Sequence, residues 1–209
     1  ERFKFAYFSD THVALSRNVK ECEAMLREIA AESPVFAING GDVTDYGWRG
    51  EYENYRALTK GLDFDVYHVP GNHDVRWSPL GGQIFEEFVG KPYREFEFDG
   101  VHFLLLDSTV PLSHWGHYEK PMLDWLKGRL EEIGKEAPVI IGTHHWTGRD
   151  RIMIDNESIF HEIIRPYNVK LILTGHGHSD LLWNYDQQLL TMNKGLYQGS
   201  WQMVEVDLE

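Results

Sequence analysis

Phe3, Phe5 and Tyr7 alternate with Lys4 and Ala6, and Ser9-Asp10 ends the run, so residues 2–8 are predicted to form a strand. Cys22, Met25, Leu26 and Ile29 recur at helical spacing, which predicts an amphipathic helix over 18–31 that Ser33-Pro34 stops. Val35 to Ile38 is a short apolar run ending at Asn39-Gly40-Gly41-Asp42. The cycle then repeats. Tyr52, Tyr55 and Leu58 suggest a second helix, Val66 to Val69 a strand, and residues 77–82, rich in Pro and Gly, a loop. Asp99-Gly100, between Phe96/Phe98 and the run Val101 to Leu106, predicts a β-hairpin. Near Pro121 a helix starts, marked by Met122, Trp125, Leu126, Arg129 and Ile133. Strands over 139–141 and 171–173 flank a helix carrying Ile159, Phe160, Ile163 and Ile164. Three more strands are expected at 181–185, 188–192 and 201–208. No repeat, low-complexity tract or linker divides the chain. The expectation is one α/β domain over residues 1–209, with helices covering a central sheet arrangement.

Five polar clusters directly follow predicted strands, and in open α/β sheets ligands bind beyond the carboxyl ends of strands. Asp10-Thr11-His12 puts a carboxylate and an imidazole at i and i+2, on one side of an extended segment, where they can share a cation. Alone, it also reads as a turn Asp beside a surface His. In Gly40-Gly41-Asp42-Val43-Thr44-Asp45 the glycines allow a sharp turn, and Asp42 has two oxygens able to bridge two metals. A helix N-cap by Asp42 or Asp45 is the other reading, and for Asp45 it competes. Gly71-Asn72-His73-Asp74 offers a neutral oxygen ligand in Asn72, an acid or transition-state donor in His73, and in Asp74 a carboxylate to orient it. His144 and His145, adjacent on extended backbone, face opposite ways, so one is expected as a ligand and His145 as a packing or outer residue. Gly175-His176-Gly177-His178 is the strongest signal, because two imidazoles in the exit loop of an apolar strand are costly unless paired or metal-bound. His68, His102 and His161 read as structural, and His114 and His117 as surface residues ahead of a substrate-rim role.

Charge narrows the partners. The chain carries 33 acidic and 20 basic residues, a net charge of −13, against the basic face that polymeric nucleic acid or an anionic membrane requires. Carboxylates that hold cations are not free surface charge, so part of this excess has a use. Cys22 is the single cysteine, which excludes an intrachain disulfide and a cysteine-based zinc site. No apolar run approaches the roughly 18 residues of a membrane span. The chain begins at Glu1 rather than Met, so a cytoplasmic protein and one exported after loss of an N-terminal signal are both open.

Taken together and in this order, the clusters resemble the calcineurin-like metallophosphoesterase family, whose pattern is D-x-H, G-D-x-x-D, G-N-H-[DE], a histidine after a strand, and G-H-x-H. The match runs from Asp10 to His178. The resemblance implies a four-layer α/β sandwich, two mixed β-sheets flanked by helices. It implies that Asp10, His12 and His178 hold one metal, Asn72, His144 and His176 the other, and that Asp42 bridges them. His73 would face the substrate phosphate with Asp74 behind it. The mixed nitrogen and oxygen donors suit two divalent or mixed-valence transition-metal ions, Mn, Fe or Zn. A hydroxide held between them would attack the phosphorus in line.

Pro soon after the strand-end histidine is common in relatives; here Trp146 holds that place. His144-His145 followed by Met153-Ile154-Asp155 resembles the branch with cyclic-nucleotide and glycerophosphodiester phosphodiesterases. The expected function is hydrolysis of a small phosphate ester, diesters ahead of monoesters. Asn72, His73, His145 and Trp146 are candidates to contact substrate, and Trp115 and Trp77 could line an aromatic rim. A non-catalytic metal-binding scaffold is the alternative of another class, though no ligand of the pattern is missing. A DNA nuclease should show a basic groove, which the charge balance opposes.

Overall fold

The computed structural model describes residues 2–208, and its strands form two sheets. The first has the order β10-β1-β2-β3, built from β1 (Arg2–Phe8), β2 (Phe36–Asn39), β3 (Asp65–His68) and β10 (Gln202–Asp207). β1, β2 and β3 run parallel, and β10 returns antiparallel to β1. The second has the order β4-β5-β6-β7-β9-β8. Its strands are β4 (Arg94–Phe98), β5 (Val101–Leu105), β6 (Val139–Gly142), β7 (Val169–Thr174), β8 (Leu181–Tyr185) and β9 (Gln188–Met192). β5, β6, β7 and β9 are parallel, with antiparallel strands at both edges. The hairpin turns at Asp99 (φ 51°) and Gly100 (φ 81°), the left-handed pair that the Asp-Gly dipeptide favours.

Alternation along β1 explains the layering. Phe5 and Tyr7 enter a core shared with Phe36, Phe103, Leu105, Ile140 and Leu173, which lies between the sheets. Ala6 and Phe8, on the other face, pack with Cys22, Leu26 and Ile29 of α1 (Val19–Ala31) and Tyr52 and Tyr55 of α2 (Arg49–Thr59). The outer face of the second sheet packs on α5 (Lys120–Ile133) and α6 (Glu157–Ile164) through Leu126, Leu130, Phe160 and Ile164. The result is helix, sheet, sheet, helix, the four-layer arrangement expected from the family pattern. Among the described residues no helix is long and apolar enough to cross a membrane.

Two short helices depart from the sequence reading. The Gly71-Asn72-His73-Asp74 segment is a helical turn, α3 (Asn72–Val75), rather than an open loop. Beyond the predicted loop 77–82 lies α4 (Gln83–Val89), whose Ile84 and Phe85 complete the core over α2. Seven residues between Gly82 and Gly90 give too few turns for a helical period to stand out.

A buried carboxylate ties the strand-end loops of the first sheet together. Asp74 accepts hydrogen bonds from the backbone N–H of Val43 (3.1 Å), Thr44 (2.9 Å) and Gly71 (2.9 Å), and from the hydroxyls of Thr44 (2.8 Å) and Tyr52 (3.2 Å). Gly71 has no alternative there, since a Cβ would come within 2.1 Å of the Asp42 backbone nitrogen. Asp74→Ala strands several buried donors at once. We expect it to lower the unfolding free energy by about 3 kcal/mol or more, read by urea denaturation in chelator. A loss below about 1 kcal/mol would show that the loops hold each other without it.

His68 offers a second test. It is buried on β3, with the Tyr55 hydroxyl 2.8 Å from its Nε2. Burial, then Arg94, pushes its pKa down to about 3. The unfolded chain protonates this histidine near pH 6.5 while the folded chain keeps it neutral, so stability is full above pH 6.5 and falls as the pH drops below it. Between pH 6.5 and pH 5, His68→Gln should remove about 2 kcal/mol of the fall in unfolding free energy. An unchanged pH slope in that variant would refute the assignment.

Candidate metal centre

The five clusters converge where the two sheets meet. Tyr7 Oη donates to the Thr174 carbonyl (2.5 Å), joining the end of β1 to the end of β7. Beyond the strands the loops keep pairing. Asp10 N–H donates to the Gly41 carbonyl (2.8 Å), His12 N–H to Asp42 (2.9 Å) and Gly175 N–H to His144 (2.9 Å). His176 N–H donates to Asp10 Oδ2 (3.1 Å), which also accepts from Ser9 Oγ (2.5 Å).

The backbone here is not extended, as the i, i+2 argument assumed. Asp10 (φ 51°), His12 (φ 43°), Asp42 (φ 50°), His176 (φ 69°) and His178 (φ 46°) all occupy the left-handed region. Asp tolerates that conformation and His is enriched in it, but five such residues around one point is an arrangement that surrounding contacts must enforce. Left-handed residues at Asp10 and His12 turn the chain so that both side chains reach the seam.

Two ligand groups share Asp42. Asp10, His12, Asp42 and His178 bring one donor atom each to within 4.8 Å of one another, and so do Asp42, His144 and His176. In the first, His178 Nε2 lies 3.0 Å from Asp10 Oδ1, His12 Nε2 3.1 Å from His178 Nε2, and His12 Nε2 3.4 Å from Asp42 Oδ2. In the second, His144 Nε2 lies 3.2 Å from both Asp42 Oδ2 and Asn72 Oδ1, and His176 Nδ1 lies 2.8 Å from Asn72 Oδ1. Donors around an ion with bonds of about 2.1 Å sit roughly 3.0–3.4 Å apart, which matches this spacing.

The electrostatics ask for cations. Burial opposes ionisation of Asp10 and Asp42, yet His12 and His178 hold Asp10, and His144 and His12 hold Asp42, well below the usual carboxylate range. Burial disfavours charge on His144 too, but Asp42 raises it to about 9. Buried carboxylates that stay ionised need positive charge in contact. Asp10 Oδ1 is buried, and His178 Nε2, 3.0 Å away, is out of line for a hydrogen bond, which leaves an acceptor suited to a metal. The donors therefore fit divalent cations, and their mixture of imidazole, carboxylate and amide oxygen suits first-row transition metals.

Outer contacts fix the ligands. His144 Nδ1 donates to the Gly40 carbonyl (2.8 Å), which turns Nε2 toward Asp42. Asp45 Oδ1 stands 3.4 Å from His12 Nδ1, and Arg17 pairs with the same carboxylate. Neither Asp42 nor Asp45 caps a helix, because Trp48 takes the N-cap of α2.

His73 lines the mouth, about a quarter exposed, edge-on to His12 with ring centroids 4.5 Å apart. Its Nδ1 donates to the Asp45 carbonyl (2.7 Å). The expected orienting partner was Asp74, which instead spends its oxygens on the loop backbone. His145 lies outside the ligand groups. Its Nδ1 is 2.8 Å from Ser108 Oγ, and its Nε2 donates to the His114 carbonyl (3.0 Å). Burial, then His144 and His176, keeps it neutral. Trp146 lays its ring 5.5 Å from that of His176.

Three residues beside the centre were not among the candidate site residues. Asp45 was in the G-D-x-x-D pattern but competed with a capping role. His114 packs 4.5 Å from the His176 ring, and the Tyr197 hydroxyl stands 3.4 Å from His178 Nδ1. Both reach the mouth from loops with no motif of their own.

Comparison with known proteins agrees with this geometry. The chain is similar to a 3′,5′-cyclic-nucleotide phosphodiesterase of Nostoc, 28% identical over 163 residues, covering 74% of this chain and 59% of that protein. It is similar to a probable cyclic nucleotide phosphodiesterase of Coxiella burnetii, 29% identical over 202 residues, covering 90% and 81%. The chain thus spans less than two thirds of the Nostoc protein. Its fold matches the crystal structure of a dimetal phosphatase from Danio rerio at a TM-score of 0.70 and 17% identity, covering 93% of this chain and 88% of that one. The calcineurin-like phosphoesterase profile matches residues 3–180, and with the five strand-end clusters gathered at one seam, the chain belongs to that family.

Proposed function

We propose that the chain hydrolyses phosphodiesters at a dinuclear metal centre. The observation that carries this reading is the pair of donor groups sharing Asp42, with His73 beside one of them. Asp10, His12, His178 and Asp42 would hold one cation, and Asp42, Asn72, His144 and His176 the second. Two such cations lower the pKa of water to give a nucleophile and offset charge on the phosphoryl oxygens. Cyclic-nucleotide phosphodiesterases among the relatives favour diesters over monoesters.

The chain's own groups do the rest. Asp10 and Asp42 supply the anionic charge that retains cations in a protein of net charge −13, and the neutral His and Asn donors leave the centre net positive toward a phosphate. His73 Nδ1 is occupied by the Asp45 carbonyl, so Nε2 is the atom left to give a proton to the leaving alkoxide. Its backbone N–H donates to Asp42 Oδ1 (2.8 Å), which ties the position of the acid to the shared carboxylate. Asp45 serves both sides, orienting His73 through its carbonyl and His12 through its carboxylate.

Hydrolysis of bis-p-nitrophenyl phosphate and p-nitrophenyl phosphate, with Mn²⁺ or with chelator, tests the reading. We expect metal-dependent turnover with the diester preferred, reduced in Asp42→Ala by more than about 100-fold, beyond the loss of an outer partner of a metal site. No turnover with Mn²⁺, Fe²⁺, Zn²⁺ or Ni²⁺, together with no bound metal by elemental analysis, would replace the enzyme with a binding scaffold.

The role of His73 has its own signature. His73→Asn should slow a diester with an alkyl leaving group by about 100-fold or more, and bis-p-nitrophenyl phosphate far less, since p-nitrophenolate leaves without a proton. Equal losses on both substrates would assign His73 to charge stabilisation rather than proton transfer.

A further inference from the structure

The seven tryptophans divide cleanly. Trp125, Trp183 and Trp201 pack against the core clusters. Trp77, Trp115 and Trp146 each pack against a histidine at or beside the metal centre, Trp48 stacks on Tyr46 farther out, and Trp48, Trp77 and Trp115 are each more than two-fifths exposed. Single exposed aromatics need no explanation, but three set against the histidines of one centre do. Trp77 sets its ring 4.8 Å from His73, with Tyr46 5.5 Å beyond it and Trp48 stacked on Tyr46 at 5.2 Å. On the other flank, Trp115 packs 5.5 Å from His114, whose ring lies 4.5 Å from His176, and Trp146 packs 5.5 Å from His176 itself.

Each of the three indoles nearest the histidines also carries a guanidinium. Arg76 lies 4.7 Å over Trp77, Arg151 5.4 Å over Trp115, and Arg149 between Trp146 (5.9 Å) and Trp183 (5.3 Å). In a strongly acidic chain these three arginines put cations at the rim, next to flat apolar faces. Such pairs hold the rings in place and attract anionic aromatic ligands. The two platforms are tied to different halves of the centre. Trp77 adjoins His73, which groups with His12, and Trp146 adjoins His176, which groups with His144. A cavity of about 540 Å³ opens beside Trp146, bounded by Gly177, Arg149 and Trp183, large enough for a nucleoside.

We propose that the substrate is a diester with a planar aromatic group on each side of its phosphate, in chemical class a dinucleoside monophosphate. The Trp77 ring, met edge-on by Tyr46, takes the base of the leaving alcohol, because it adjoins the histidine that protonates that alcohol. Trp115 and Trp146 take the base that stays with the phosphate. A cyclic mononucleotide, with one base, would use one platform alone. This assignment rests on the hydrolase reading above and names its substrate class.

The probes are adenylyl-(3′,5′)-adenosine, adenosine 5′-(methyl phosphate) and 3′,5′-cyclic AMP, assayed by chromatography with Mn²⁺. We expect the dinucleotide to exceed both others in kcat/KM by at least about 10-fold, since one stacked base contributes roughly 5- to 150-fold. In Trp77→Ala the ratio of dinucleotide to methyl ester should fall by roughly that factor, and Trp77→Phe should restore it. Trp115→Ala should weaken both. A methyl ester or cyclic nucleotide as good as the dinucleotide, or a ratio unmoved in Trp77→Ala, overturns the proposal. If no diester turns over, the hydrolase reading fails separately, and tryptophan fluorescence in the metal-loaded protein decides. Quenching by adenylyl-(3′,5′)-adenosine that weakens in both alanine variants supports the two platforms, and no quenching overturns them.

Discussion

Two ionised carboxylates buried at the seam of two sheets set the terms for the rest of this molecule. Asp10 and Asp42 are withdrawn from water, and both stay charged because histidines from four loops stand against them. Buried charge is tolerated only with a partner of opposite sign in contact. The sheets must therefore meet with their carboxyl ends aligned, and the loops must bend sharply enough to present donors at one point. The left-handed residues are how they bend. Non-glycine residues in that region store strain of about 1–3 kcal/mol each, which persists only where surrounding contacts over-determine the backbone. Here those contacts are the loop-to-loop hydrogen bonds between residues 10–13 and 41–43, the link from Gly175 to His144, and Asp74 pinned beneath them.

This division of labour separates Asp74 from His73. Adjacent in sequence, they were expected to act as an acid and its orienting carboxylate. In a helical turn, neighbours do not face the same way, so the carboxylate enters the scaffold while the imidazole stays at the mouth. The orienting function passes to Asp45, 28 residues away in the chain. Asp45 was legible as the last position of the G-D-x-x-D pattern, but its two-fold use of carbonyl and carboxylate is a property of the folded loop.

How far the sequence could be read follows from this physics. Chemistry-bearing residues at the ends of apolar runs announced the centre, because Asp10, Asp42, Asn72, His144, His176 and His178 each break a pattern that would otherwise bury them without partners. The alternation of Phe3, Phe5 and Tyr7 with Lys4 and Ala6 announced a strand, while the burial of Ala6 and Phe8 on its other face emerged only with the helices that cover it. Pairing between β1 and β10 was not legible, since nothing local connects Arg2 with Asp207. Nor was the backbone geometry at the centre. An i, i+2 argument holds for extended chain, and these loops satisfy it by another route, with left-handed residues turning both side chains toward the seam. The helix α4 was hidden because its short length offered one apolar face and two flanking glycines.

The aromatic rim reverses the usual relation between charge and ligand. A chain of net charge −13 should repel a phosphate, and a polymeric nucleic acid would meet that repulsion along its whole length. A small diester meets only the local field. There the cation-holding centre and the rim arginines dominate, because the nearest carboxylates, Asp10, Asp42 and Asp45, are already engaged with histidines and Arg17. Screening confines the remaining acidic surface to within about 10 Å of itself at moderate salt. On the proposed reading, acidity would work as a size filter that leaves short esters free to enter while opposing long ones. In that proposal the indoles would supply affinity that does not depend on charge, which is what a small anionic ligand needs in order to be held by a chain of net charge −13.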